Sequence, residues 1–209
     1  MKKTLYPIAT IILMLFIASC SSSTSGDENI ANIKDITEVL PTEARWNKII
    51  EDQDITYRVT SNTTEDMYTQ FSLMVEYNSS PETASTGTYP KLKRFAKADL
   101  NGDKYNELIF IGASENQPKN EHIYVWTLDY SASPKSLNLL ELPSVPRSFM
   151  ENVNGNNTYN VKPPYIERII GYKLEDGSET EKSFLFKINE AGEFKLYSVD
   201  GELVTEVAL

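Results

Sequence analysis

Apolar and polar residues alternate along most of the chain after Asp54. Ile55, Tyr57 and Val59 alternate with polar residues, and the same period of two returns between Phe71 and Tyr77. A period of two places one set of side chains on the buried face of a sheet and the other set in solvent. Further predicted strands are 89–98, 123–128, 137–142, 166–173, 183–189 and 194–199, and the alternation is clear in 166–173 and 183–189. The pattern predicts a mainly β chain.

Turn-forming residues separate these runs. The stretches 78–87 and 150–157 predict connections without strands, and Pro163-Pro164 ends a short strand around residue 160. Residues 190–193 predict a hairpin turn. The continuous apolar run 108–111 predicts a strand that is buried on both faces. Eight or nine short strands with turns between them favour an antiparallel sandwich or barrel, and we expect a single antiparallel β-sandwich over residues 30–209.

The beginning of this domain has a different period. Ile33, Ile36 and Leu40 follow one another at helical spacing until Pro41. Trp46, Ile49 and Ile50 continue the spacing after this proline. Spacings of three and four residues align side chains on one face of an α-helix. The sequence therefore predicts a short N-terminal helical segment before the first strand.

Residues 1–19 have the pattern of a bacterial lipoprotein signal peptide. Lys2 and Lys3 precede an apolar run, which ends in Ile17-Ala18-Ser19-Cys20. The apolar run is shorter than the roughly 20 residues that cross a bilayer. The ending resembles a lipobox, which implies cleavage before Cys20 and acylation of this residue. An ordinary secretory peptide that happens to contain a cysteine is the alternative.

The residues after the lipobox predict a flexible tether and a cellular location. Residues 20–29 hold the lipidated cysteine and a polar, serine-rich run, which is typical of a flexible linker. The resemblance implies a domain anchored to the bacterial cell envelope. Ser21, rather than an aspartate, favours the outer membrane with the domain in the periplasm, and exposure at the cell surface stays an alternative.

Net charge and cysteine content limit the partners and the kinds of site that this protein can have. The chain has a formal net charge of −10, and loss of Lys2 and Lys3 with the leader leaves 18 basic and 30 acidic residues, a net charge of −12. An acidic surface repels nucleic acid and favours cations or basic proteins as partners. Cys20 is the only cysteine, so its lipidation leaves no thiol for a disulfide, a zinc site or a nucleophile.

Oxygen-bearing side chains recur in the stretch 99–107, which reads DLNGDKYNE. They are Asp99, Asn101, Asp103 and Glu107, and Tyr105 adds a backbone carbonyl. Gly102 permits the tight turn that lets these groups face one point. Calcium takes carboxylate, amide and carbonyl oxygens as ligands, so the spacing predicts a calcium site. The alternative is a turn rich in Asp and Asn because these residues favour turns.

This stretch resembles the calcium loops of FG-GAP and VCBS repeats, whose pattern is D-x-[DN]-G-D-G-x-x-[DE] before an apolar strand. Lys104 occupies the position of the second glycine in that pattern. An EF-hand or dockerin is excluded, because its twelfth position needs an oxygen ligand and Phe110 stands there. A propeller needs several copies of the loop and the chain has one, so we expect the loop to stabilise another fold.

A wider resemblance, over residues 54–199, is to the periplasmic inhibitors of invertebrate-type lysozyme. The stretches that carry it are 98–111, 124–126, 140–143 and 165–176. The resemblance implies an exported β-sandwich that binds a lysozyme. In that family a Ser-Gly-Ser-Tyr-like loop after the buried strand enters the lysozyme cleft. The corresponding stretch 112–121 reads GASENQPKNE and lacks this signature. Its candidate partner-binding residues are Ser114, Glu115, Asn116, Gln117, Lys119 and Asn120.

No catalytic motif is recognisable in the sequence. His122 is the only histidine and has no nucleophile motif beside it, so a structural or surface role is expected. Tyr124, Trp126 and Tyr130 form either a sugar-stacking platform or part of the core. We therefore expect a binding protein, with a lysozyme or another envelope protein as partner. A calcium-stabilised module for an unrelated protein or glycan is the alternative, and a carboxylate-dependent glycan-active enzyme comes third.

Overall fold

The computed structural model describes residues 33–65 and 68–197, and these residues form thirteen strands and no α-helix. The strands are β1 (Glu38–Val39), β2 (Arg45–Asp52), β3 (Ile55–Glu65), β4 (Tyr68–Tyr77), β5 (Ser80–Pro90), β6 (Leu92–Ala98), β7 (Glu107–Ala113), β8 (Glu121–Asp129), β9 (Ser136–Leu140), β10 (Val153–Lys162), β11 (Tyr165–Lys173), β12 (Glu179–Ile188) and β13 (Phe194–Tyr197). One 3-10 turn, Arg147–Phe149, lies between β9 and β10. The expected mainly β, antiparallel fold is confirmed, with thirteen strands rather than eight or nine.

The strands form three antiparallel sheets. The first sheet has the order β2-β3-β4-β5, the central sheet β1-β6-β7-β8-β9, and the third sheet β10-β11-β12-β13. One core lies between the first and central sheets and includes Tyr57, Leu73 and Phe110. A second core lies between the central and third sheets and includes Ile109 and Phe186. The central sheet is therefore buried on both faces.

The strand β7 lies at the middle of the central sheet. All seven of its residues are buried, as the continuous apolar run predicts. Leu108 and Phe110 pack toward the first sheet, whereas Ile109 and Ile111 pack toward the third. Because successive side chains of a strand point to opposite faces, an apolar residue at every position suits a strand between two cores.

The expected N-terminal helical segment is wrong. Residues 45–52 form the strand β2, which pairs with β3 over eight residue pairs from Arg45↔Asn62 to Asp52↔Ile55. Trp46 and Ile50 are buried, but Ile49 is 59% exposed. A spacing of four residues puts two side chains on one face of a helix and also on one face of a strand. Pairing with β3 therefore makes this segment a strand rather than a helix.

Two predicted connections are also wrong. Residues 80–90 form β5, which pairs with β4 from Tyr77↔Ser80 to Tyr68↔Pro90, so the connection is limited to a turn at Asn78 and Ser79. The expected loop 150–157 ends where β10 begins at Val153. The strand end at Pro163-Pro164 and the hairpin at residues 190–193 are confirmed. The predicted leader, Cys20 and the tether lie outside the described residues, as do positions 198 and 199 of the last predicted strand.

A polar cluster joins the N-terminal segment to the central and third sheets. The guanidinium of Arg94 donates to Glu121 Oε2 at 2.7 Å, to the carbonyl oxygen of Tyr159 at 2.5 Å and to Thr37 Oγ1 at 3.0 Å. It also lies 3.4 Å from Asp35 Oδ2, while the other oxygen of this carboxylate accepts the backbone N–H of Val161. One cation thus serves acceptors from three parts of the chain.

Candidate functional site

The loop between β6 and β7 is curled by hydrogen bonds from its own side chains. Asp99 Oδ1 accepts the backbone N–H of Gly102 at 2.7 Å, and its Oδ2 accepts that of Lys104 at 3.0 Å. Asn101 Oδ1 accepts the N–H of Asp103, whose Oδ1 accepts the N–H of Tyr105. Such local bonds are typical of Asp and Asn in turns.

Two residues of the loop adopt positive φ angles. Gly102 has a φ of +82° and Lys104 a φ of +78°. The left-handed region is open to glycine at no steric cost but is unfavourable for a residue with a Cβ atom. The lysine therefore occupies, with some backbone strain, a position at which the resembled calcium loops have glycine.

Glu107 is the buried member of the predicted ligand set. It is the first residue of β7 and is 1% exposed. Its Oε2 accepts the backbone N–H of Leu100 at 2.8 Å, and its Oε1 lies 3.4 Å from the donating hydroxyl of Thr127. Burial raises the pKa of Glu107 from 4.5 to about 7; the bond from Leu100 opposes this rise, whereas the charges of Asp103 and Asp99 add to it. The carboxylate is held at the base of the loop.

The loop holds more negative charge than its neighbourhood neutralises. None of the ion pairs formed within residues 33–65 and 68–197 involves Asp99, Asp103 or Glu107. In the same part of the chain, no three Asp, Glu, His or Cys side chains are gathered as a metal centre would gather them. The carboxylates are thus close enough to influence one another, but the side chains bond to backbone N–H groups instead of meeting at a single point.

The loop residues nevertheless offer a donor set that suits calcium. A carboxylate oxygen has more than one acceptor site, so an oxygen that accepts an N–H can still bind a cation. Asp99, Asn101 and Asp103 line the curled part of the loop, and Tyr105 contributes a carbonyl. Glu107 contributes the buried carboxylate. These five residues fit the oxygen chemistry of calcium and are the ones that would hold it.

Asp52, the last residue of β2, and Gln53, in the turn that follows it, hold the loop from outside. The carboxylate of Asp52 accepts both the backbone N–H and the side-chain amide of Asn106, at 3.0 and 2.6 Å. Gln53 Nε2 donates to the carbonyl oxygen of Lys104 at 2.6 Å. Asp52 and Gln53 were not among the site residues predicted from the sequence. No local spacing could identify them, because they are about 50 residues away from their partners in the chain.

Tyr105 and Tyr130 border an open cleft beside the loop. Their rings are stacked, with centroids 3.5 Å apart and planes 21° apart. The cleft has a volume of about 540 Å³ and is also lined by Asp103, Asp129 and Asn138. Of the predicted aromatic platform, Trp126 is buried in the core between the first and central sheets, and Tyr124 packs against that core. The three aromatic residues therefore do not form one platform.

The candidate partner-binding loop lies at the other end of β7. It connects β7 to β8, and Glu115, Gln117 and Lys119 are exposed. Its shape is maintained by bonds from Gln117 N–H to the Ser114 carbonyl and from Asn120 N–H to the Gln117 carbonyl. The loop also contacts other parts of the chain. Glu115 forms an ion pair with Lys91 at 2.6 Å, and the carbonyl of Lys119 accepts the N–H of Asn157. The side chain or backbone of Asn116 is engaged as well. The two predicted sites are thus separate.

The structure offers little support for an acid–base site around histidine. His122 is exposed on β8, opposite Gly112 in the neighbouring strand. The adjacent carboxylate, Glu121, accepts hydrogen bonds from Arg94 and from the backbone N–H of Tyr159.

The chain matches no family model, no curated protein and no solved structure. Within the described residues, no helix is long and apolar enough to span a membrane.

Proposed function

We propose that this protein is a lipid-anchored binding protein of the bacterial envelope whose domain is stabilised by calcium, and that it is not an enzyme. The anchor rests on the lipobox-like sequence ending in Cys20. The calcium site rests on one main observation: the carboxylates of Asp99, Asp103 and Glu107 influence one another without an ion pair to a cationic side chain in the described residues. A cation would neutralise this charge.

A lysozyme is the partner that the family resemblance favours. The corresponding segment is the stretch 112–121, and its internally bonded residues 114–120 have the rigidity that suits insertion into a cleft. Assays of the purified domain against invertebrate-, chicken- and goose-type lysozymes test this partner. An unrelated protein or a glycan is the second candidate, and the outer face of the first sheet, described below, favours the glycan.

The anchor predicts a clear biochemical result. Replacement of Cys20 by alanine removes the sulfur and the residue whose amino group would be acylated. We expect the variant to retain its leader and to incorporate no labelled palmitate, measured by metabolic labelling and by the mass of the purified protein. A serine-to-alanine change at Ser22, which lies in the tether, is the matched control and should leave labelling unchanged. Palmitate in the Cys20→Ala protein would contradict the anchor.

Calcium should raise the melting temperature of the wild-type protein. The unfolded chain does not hold the five proposed ligands in one loop, so binding to the folded loop stabilises the native state by about 2.7 kcal/mol when calcium is a hundredfold above its dissociation constant. For a domain of this size the shift is on the order of 5 to 10 °C. Magnesium should give a smaller shift, because it demands tighter octahedral geometry. Calorimetry in calcium and in chelator measures both.

Variants of the loop separate calcium binding from general stabilisation. Asp99→Ala and Asp103→Ala should lose the calcium shift, whereas Lys104→Gly should retain or enlarge it because glycine accepts a positive φ without strain. Glu115→Gln, at the opposite end of β7, is the matched control and should keep the wild-type shift. Equal melting of the wild-type protein in calcium and in chelator would leave the loop as an acidic turn only.

A further inference from the structure

The outer face of the first sheet presents an ordered array of uncharged polar side chains. The strand register aligns Asn62, Gln70 and Thr88 in one row across β3, β4 and β5, and Thr60, Ser72 and Thr86 in the next. Within each strand these positions alternate with the buried residues Ser61 and Phe71 and with Gly87. Because side chains two residues apart share a face, the six polar groups point away from the core.

The array lines a shallow cleft that contains no charged side chain. The cleft has a volume of about 430 Å³ and is lined by Thr60, Ser61, Asn62, Gln70, Phe71, Ser72, Thr86, Gly87 and Thr88. In a chain with 30 acidic and 20 basic residues, an uncharged strip of this extent is unusual for a solvated surface. Charged residues appear only around it: Arg45 bonds to Asn62 Oδ1 at 3.1 Å, and Arg58 pairs with Glu76 in a neighbouring row.

Five of the six polar groups of the array are free to bind a ligand. Within the described residues, the side chains of Thr60, Gln70, Ser72, Thr86 and Thr88 form no hydrogen bond with another protein group. Hydroxyl and amide groups both donate and accept, so they match a ligand whose own groups are hydroxyls. Adjacent strands are about 4.8 Å apart and the two rows about 7 Å apart, which spreads these groups over a flat surface.

An exposed aromatic ring stands at one end of the array. Tyr68 is on the same face of β4 as Gln70 and Ser72, two residues before Gln70, and is 48% exposed. Its partners across the two ladders are Pro90, the last residue of β5, and Glu65, the last residue of β3. A tyrosine ring offers an apolar face together with a polar hydroxyl, and this combination suits a ligand with alternating apolar and hydroxyl surfaces.

We infer that this face, formed by Tyr68, Gln70, Ser72, Asn62, Thr60, Thr86 and Thr88, binds a neutral polysaccharide chain laid across β3 to β5. A sugar ring has hydroxyl groups at its edge and C–H groups on its face, so it can bond to the hydroxyl and amide rows and stack on the tyrosine. The absence of charge in the cleft excludes steering of an anionic or cationic polymer. The inference gives a ligand class to the proposed binding function, and it uses neither the calcium loop nor the loop 114–120.

Affinity electrophoresis of the full chain tests this inference. The native gels contain dextran, hydroxyethyl cellulose or galactomannan as neutral probes, and alginate as an anionic probe. At least one neutral polymer should retard the protein, and alginate should not. Retardation by none of the three neutral polymers, or by alginate alone, would overturn the inference. Lysozyme inhibition and the calcium-induced melting shift are measured independently of this retardation. A negative gel result would therefore overturn the polysaccharide inference without deciding the proposed function.

Single substitutions identify the face that binds. Tyr68→Ala and Gln70→Ala should each weaken retardation about fivefold or more, which corresponds to the loss of one net hydrogen bond or an equivalent contact. Thr86→Glu should abolish it by placing a charge within the second row. Ser85→Ala is the matched control, because Ser85 adjoins Thr86 on β5 but lies on the opposite face of the strand, paired with the buried Leu73. Unchanged melting temperatures of the surface variants verify the fold, and wild-type retardation of all three would overturn the inference.

Discussion

Replacement of Arg94 by alanine is expected to destabilise the protein by about 3 kcal/mol, the lower end of the cost of breaking a buried ion pair. The side chain of Arg94 is 22% exposed and that of Glu121 is 11% exposed. Without the guanidinium, the backbone N–H of Tyr159 is the one donor that the described residues leave to the buried Glu121 carboxylate, and the Tyr159 carbonyl loses its Arg94 donor. A buried charge without its partner is the expensive outcome of such a change.

Urea or thermal unfolding measures this effect, and we expect a fall in melting temperature of about 6 to 12 °C. Arg58→Ala is the matched control, because Arg58 also pairs with a glutamate at 2.7 Å but on the exposed outer face of the first sheet. Its removal should change the melting temperature little. The double variant Arg94→Met with Glu121→Gln should recover part of the loss, because it leaves no buried charge. Equal effects of Arg94→Ala and Arg58→Ala would contradict the role assigned to this cluster.

In chelator, the protein should lose stability as the pH rises from about 4.5 to about 7. Burial raises the pKa of Glu107 to about 7 in the folded state, whereas the unfolded chain has the ordinary value of 4.5. The folded state therefore holds this proton more tightly, and its advantage is complete below pH 4.5 and is lost by pH 7. The shift corresponds to at most about 3 kcal/mol.

The difference between the wild-type protein and Glu107→Gln isolates this contribution, since other carboxylates titrate in both proteins. The glutamine carries no charge at any pH and retains an oxygen that can accept the Leu100 N–H. We expect its unfolding free energy to fall less between pH 4.5 and 7, measured by urea titration at fixed salt. Glu115→Gln, an exposed substitution, should retain the wild-type slope. Identical slopes for wild type and Glu107→Gln would show that Glu107 does not titrate in this range.

Calcium provides an independent check on the same residue. If the cation binds beside Glu107, the ionised carboxylate gains a partner and its pKa falls. The pH slope of the wild-type protein should then become smaller in calcium, and the calcium-induced rise in melting temperature should grow between pH 5 and pH 7.5. A slope that calcium does not alter would separate the buried glutamate from the cation site.

Local patterns determined much of what the sequence predicted correctly. The period of two identified β3 and β4 of the first sheet, β8 of the central sheet and β11 and β12 of the third sheet, because alternation records which side chains face a core. The continuous run at Leu108–Ile111 identified the strand between two cores for the same reason. The tight turn of the loop 99–107 was also predictable, since Asp and Asn side chains bond to backbone groups within a few residues.

Tertiary contacts decided the features that local patterns left ambiguous. Trp46 and Ile50 satisfy helix and strand spacing alike, and only the ladder with β3 makes them a strand. Residues 80–90 have few apolar side chains and resemble a turn region, but pairing along the whole of β4 makes them β5. This pairing also creates the uncharged face of the first sheet, whose rows come from three separate strands.

The number of layers and the surroundings of the loop were likewise beyond the sequence. Alternation shows that a side chain is buried but not which sheet covers it, so the sandwich expectation did not distinguish two sheets from the observed three. Asp52 fastens Asn106 and Arg94 joins the N-terminal segment to β8 and β10 through contacts between residues far apart in the chain. The sequence by itself determined most strand-forming segments and the chemistry of the loop, whereas the tertiary structure decided β2, β5 and the partners of every strand. The physical reason is that a hydrogen-bonding group specifies the type of bond it forms but not which distant residue forms it.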